Sequence, residues 1–133
     1  MKKLILTAAF VLANSAHASN LVQVATIGGV VIRLDVDSIL PEGQYQNFWV
    51  MEDYGTPRKP KSGGEAYSYV MENWHINCAD ETYFLSYTNF YSSQGKLVYR
   101  LNLADIDPGV SKMRPDTDAS EQVFKRQVCK TRK

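Results

Sequence analysis

Along most of the chain, hydrophobic residues recur at every second position, the period of a strand with one buried face. The stretch Leu21–Ile27 shows it first, Gly28-Gly29 interrupts it, and Val30, Ile32, Leu34 and Val36 resume it on one face, which predicts a hairpin over 21–36. Residues 45–53 predict the next strand. Trp49 and Met51 fall on one of its faces and Phe48 and Val50 on the other, and two apolar faces suit a central position. The prolines and glycines of 55–64 interrupt a ladder, so that stretch reads as a long exposed loop holding Arg58, Lys59 and Lys61 in solvent. Alternation returns over 67–78, with Val70, Trp74, Ile76 and Cys78 as the expected core face and Tyr67, Tyr69, Met71, Asn73 and His75 opposite. Residues 81–92 predict a further strand. Ser93-Gln94-Gly95 turns it into 96–103, where Leu97, Tyr99, Leu101 and Leu103 align, and the three strands form an antiparallel meander.

After Ala104 neither period holds as far as Pro115, which marks a crossover segment. Asp118 with Glu121 three positions later is a helix start, because the first carboxylate accepts free backbone N–H groups and the second reaches back. The helix is predicted over 119–130. Ser120, Val123, Phe124, Gln127 and Val128 share one side, while Lys125, Arg126 and Lys130 suit solvent and the negative helix end. Cys129 falls off that stripe: either the helix frays before it or a bridge draws the last turn round. Together these elements predict an α+β domain, an antiparallel sheet of about six strands with a C-terminal helix packed on it.

The first eighteen residues change the picture by giving the chain an address. Lys2 and Lys3, an apolar run over 4–12 and the small-residue end Ala16-His17-Ala18 form a signal peptide cleaved after Ala18. As a membrane anchor the run is far short of the roughly 20 residues needed. No Cys stands at the cleavage position to accept a lipid, so the product is expected in the periplasm or secreted. Residues 19–133 then form a single domain. The formal charge of +1 includes Lys2 and Lys3, so their removal leaves −1, a balance that does not point to nucleic acid. In an oxidising compartment the two cysteines, Cys78 and Cys129, predict one disulfide. The competing readings are a metal site or a reactive thiol, but with no Cys-x-x-Cys and only His75 left after cleavage, the ligand set is poor for zinc.

Catalytic and binding chemistry has few candidates. His75 reads as a surface or hydrogen-bonded structural residue before a general base. Asp35 with Asp37 sits at an expected strand end and Asp116 with Asp118 before a helix, where turns and capping account for them; neither pair continues as a calcium loop. Gly28-Gly29 and Gly63-Gly64 are turns without phosphate-loop context. The candidate partner-binding residues are the cationic tip Arg58, Lys59 and Lys61, suited to an acidic partner or a sulfated glycan, and a second basic area, Lys125 and Arg126 with Lys130, Arg132 and Lys133. Tyr67 and Tyr69, with Tyr83, Tyr87 and Tyr91, are expected to line one sheet face, as an aromatic surface for protein contact or beneath a helix or second subunit.

Taken in order, 32–39 (Ile-Arg-Leu-Asp-Val-Asp-Ser-Ile), 48–57 (Phe-Trp-Val-Met-Glu-Asp-Tyr-Gly-Thr-Pro), Tyr67-Ser68, Cys78-Ala79, Tyr91-Ser92 with Gly95, and Cys129 resemble the surface-adhesin protein E family over nearly all of 19–133. The resemblance implies an antiparallel sheet with a C-terminal helix, a Cys78 to Cys129 disulfide, homodimerisation, and non-enzymatic binding to host extracellular-matrix or plasma proteins. Two features depart from it. Surface-held members can be lipoproteins, and Met113 stands where the family tends to have Trp. The expected function is an exported, adhesin-like protein-binding module with no cofactor. The alternative is a soluble periplasmic inhibitor or envelope accessory factor, and a hydrolase would need a pocket converging on His75 with two carboxylates.

Overall fold

The computed structural model describes residues 19–80, 82–103 and 119–131. The expected signal peptide, the crossover segment with Met113, the Asp116 and Asp118 pair, the Glu121 side chain and the tail residues Arg132 and Lys133 lie outside that description. Six strands, β1 (Leu21–Ile27), β2 (Val30–Glu42), β3 (Tyr45–Arg58), β4 (Tyr67–Ile76), β5 (Tyr83–Tyr91) and β6 (Leu97–Asn102), form one sheet in chain order, each antiparallel to the next. Helix α1 (Ala119–Val128) and a 3₁₀ turn (Cys129–Thr131) follow. The β1–β2 turn is the two-residue Gly28-Gly29, both with positive φ, the conformation whose twist matches that of the flanking strands.

The core lies between one sheet face and the helix. Ile32 and Leu34 of β2, Phe48 and Val50 of β3, and Ile76 and Tyr83 of β4 and β5 pack against Phe124 and Val128. Phe48 and Val50 have no exposed surface, and β3 is internal to the sheet, as its two apolar faces predict. Phe124 meets Phe48 edge-on and Trp74 at a tilt, with ring centroids 5.9 and 6.0 Å apart. Cys78, just after β4, is disulfide-bonded to Cys129, with Cα atoms 5.7 Å apart. The α-helix ends at Val128 and a 3₁₀ turn carries Cys129 to the bridge, which accounts for a cysteine off the apolar stripe. That stripe is narrower than expected: Phe124 and Val128 are buried, whereas Gln127 is exposed.

Two segments depart from the sequence reading, and both involve an interrupted ladder. The strand predicted to end at Val36 runs on to Glu42, so Asp35 lies within a strand and not at its end. Register shifts between Asp35 and Leu40, where the Ser38 hydroxyl donates to the Asp35 carbonyl (2.7 Å) and accepts the Trp49 N–H (2.8 Å), a side chain standing in for a backbone rung. Likewise β3 continues through Gly55 to Arg58, which pairs with Tyr67. Gly55 has φ of 73° and its N–H donates to Asp53 Oδ1, so the break is absorbed as a bulge and the loop is shorter than 55–64.

Candidate functional site

The surface candidates Arg58 and Tyr67 meet at one corner of the sheet. The Arg58 guanidinium lies 3.8 Å from the Tyr54 ring centroid. From there an aromatic row crosses four strands: Tyr54 to Tyr67 (5.8 Å), Tyr67 to Phe90 (4.9 Å) and Phe90 to Tyr99 (5.8 Å). Over Tyr67, Phe90 and Tyr99 opens a cavity of about 390 Å³, roofed by Pro60 and the Ser62 to Glu65 loop. Val98 and Tyr99, which simple alternation would send to opposite faces, both line it, because register slips by one between Tyr91↔Leu97 and Phe90↔Tyr99. Lys96, just before β6, pairs with Glu65 of that loop at 3.2 Å. Arg58, Lys59 and Lys61 are exposed, as predicted.

The five tyrosines expected on one face are divided. Tyr69 stacks on Tyr91 at 5.1 Å, Tyr67 joins the row just described, and Tyr83 is in the core against Trp74. For Tyr83 the cause is a bulge in β5: Asn73 pairs with Tyr87 but Trp74 with Leu85, so Ser86 is an extra residue and the strand before it changes sides. Lys125 and Arg126 lie on α1, which packs on β1 and β2 and so belongs to a separate area.

Ser86 also completes a polar lock that no local spacing reveals. His75 is buried at 6% exposure and stacks on Phe84; its Nε2 lies 3.0 Å from Ser86 Oγ and its Nδ1 3.2 Å from Glu42 Oε2. The Ser86 hydroxyl donates to Asn73 Oδ1 (2.7 Å) and Asn73 Nδ2 donates to Asn47 Oδ1 (2.6 Å), so the relay links β2, β5, β4 and β3. A nucleophilic serine gives its proton to the histidine and turns its oxygen to a cleft. Ser86 is buried and directs its hydroxyl at Asn73, the arrangement of a strand-to-strand tie. Burial holds the His75 pKa below the ordinary histidine value of 6.5, with the Glu42 carboxylate pulling the other way. Glu42→Gln is therefore expected to lower the His75 midpoint further in an NMR titration; an unchanged or raised midpoint would contradict the pairing.

On the helix-bearing face a second titrating group stands out. Glu72 lies opposite Val50 and Glu52 opposite Val70, so the two carboxylates are diagonal neighbours. Trp74 Nε1–H donates to Glu72 Oε2 (2.9 Å) and the Tyr54 hydroxyl to Glu52 Oε2 (3.1 Å). Burial first, and the Glu52 charge second, raise the Glu72 pKa from 4.5 to about 7. Tyr54 is raised above the ordinary tyrosine range by burial and by Glu52. Among the described residues no group of three or more His, Cys, Asp or Glu side chains is placed to hold a metal ion.

The fold defines a class, the single antiparallel sheet closed by a disulfide-tethered C-terminal helix. The chain belongs to the surface-adhesin protein E family, whose model matches residues 21–130. It is thereby an adhesin-like surface protein and an exported one. Solved structures agree in fold. Protein E of Haemophilus influenzae in its selenomethionine form has a TM-score of 0.54 at 15% identity, covering 81% of this chain and 91% of that one. A second crystal form of the same protein gives 0.53 at 16% identity, covering 82% and 96%. No curated protein matches the chain in sequence. Among the described residues no helix is long and apolar enough to cross a membrane.

Proposed function

We propose that residues 1–18 are removed on export and that the remaining domain is a non-enzymatic binding module for proteins of the host extracellular matrix or plasma. The observation that carries this reading is the corner where the exposed Arg58, Lys59 and Lys61 adjoin in sequence the loop that lines the Tyr67, Phe90 and Tyr99 cavity, within a chain of the surface-adhesin protein E family. Large rigid rings with polar tips beside exposed cations are the composition of a protein-recognition surface, in which aromatics and Arg provide most of the contact energy. The buried relay through His75 fits the same reading, since its groups hold strands together.

Purified residues 19–133 are expected to bind immobilised matrix or plasma proteins saturably, and intact cells to be labelled at the surface by antibody against the domain. Labelling only after the outer membrane is opened, with no such binding, would sink the adhesin reading. A pull-down that then recovered an envelope protein would favour a periplasmic inhibitor or accessory factor.

A further inference from the structure

The two edges of the sheet differ in what lies beside them. Helix α1 packs on β1, whereas among the described residues nothing pairs with the outer edge of β6. A free edge offers backbone donors and acceptors to any extended chain, and natural sheets usually blunt such edges with charge or proline. β6 has no proline and one charged residue, Arg100, and it leaves Leu97 41% and Tyr99 56% exposed. The cavity adjoins this edge through Val98 and Tyr99. The end of β3, the loop over the cavity and β6 itself carry Arg58, Lys59, Lys61 and Arg100, none in an ion pair among the described residues; the one acid lining the cavity, Glu65, is paired with Lys96.

We propose that β6 and the adjoining cavity form a strand-addition site for an extended acidic segment of a partner protein, one apolar side chain of which enters the cavity among Tyr67, Phe90 and Tyr99. This rests on the protein-binding reading above and specifies the surface and the partner's chemistry. Backbone pairing along β6 supplies affinity that many sequences share, and a side-chain pocket beside the edge selects among them. The four cations favour an acidic strand over a neutral or basic one and speed its encounter. A sulfated glycan would use the cations but has no backbone amides to pair with β6.

The test is a titration of isotope-labelled residues 19–133 with a blocked peptide, Asp-Asp-Val-Tyr-Val-Asp-Asp, followed by NMR. Expected are saturable shifts and slowed amide exchange in β6, an affinity that falls with added salt, and a loss of at least about tenfold in Tyr99→Ala and in the Lys59→Glu, Lys61→Glu double variant. All three positions are exposed, and the spectra of the free variants check that the fold is kept. Three results would each overturn the proposal: no saturable shifts at millimolar peptide, shifts confined to the loop with β6 amides unchanged, or binding of a heparin fragment without binding of the peptide. Undiminished binding of Tyr99→Ala to a full-length partner would remove this site and leave the protein-binding reading standing. Absence of any partner for the unmodified protein would sink that reading, while the peptide titration still decides the edge.

Discussion

Cys129→Ser, alone or with Cys78→Ser, is expected to destabilise the domain by about 4 kcal/mol, the chain-entropy value for a loop of this length. The cysteines are 51 positions apart, so the bridge closes a loop running from the end of β4 through β5, β6 and α1. The effect is large because so little else holds the helix. Of its described side chains only Phe124 and Val128 are buried, and a ten-residue helix is marginal without packing. Once released, α1 uncovers Phe48 and Val50, which are wholly buried at present. Denaturant unfolding should show a lower midpoint in the variants, and reducing agent should move the unmodified protein to the same place. A loss of less than about 1 kcal/mol would mean that helix packing, and not the tether, dominates.

Glu72→Gln should act in the opposite direction, stabilising the domain above neutral pH by about 3 kcal/mol, the free-energy equivalent of raising a carboxyl pKa from 4.5 to about 7. Because folding raises this pKa, the native state holds the proton more tightly than the unfolded chain. The stability it contributes is fully present below 4.5 and is lost as the pH rises to about 7, where the native carboxyl ionises beside Glu52. A glutamine amide keeps an oxygen for the Trp74 N–H and turns donors toward Glu52, so it reproduces the protonated state at every pH. His75 has the reverse sign: its pKa is lowered on folding, so its contribution is lost as the pH falls through the depressed value. The unmodified domain is thus weakened by these two groups from opposite sides of the pH scale. Midpoints measured across pH should show the alkaline decline flattened in Glu72→Gln; an unchanged slope would place the proton elsewhere.

The central strands were legible because their core-facing positions are apolar at every second residue, so alternation alone located Leu34, Phe48, Val50, Val70 and Ile76 in or against the core. The interruptions were not. Ser38 replaces a backbone rung with its hydroxyl, and Gly55 lets β3 bend without ending; neither leaves a periodic trace. One bulge had the widest consequence. Since the side-chain period is two, the extra Ser86 moved Tyr83 into the core while Tyr87 stayed on the other face, dividing the expected aromatic surface. The cationic tip was legible from composition, but its company was not: Arg58 meets Tyr54 and Tyr67 only because the ladder resumes after the β3 bulge. The Glu42, His75 and Ser86 relay joins residues from three strands, and no motif spacing connects them.

The bridge from Cys78 to Cys129 also sets an order of events for an exported chain. Each strand pairs with its predecessor, so the meander can assemble progressively from the N-terminus. Cys129 follows all six strands, so in a chain that emerges N-terminus first its thiol appears only after the whole sheet sequence. Closure of the bridge therefore requires the sequence of the whole sheet to be present, and it joins the last element of the chain to Cys78, just after β4, beside the place where the helix docks.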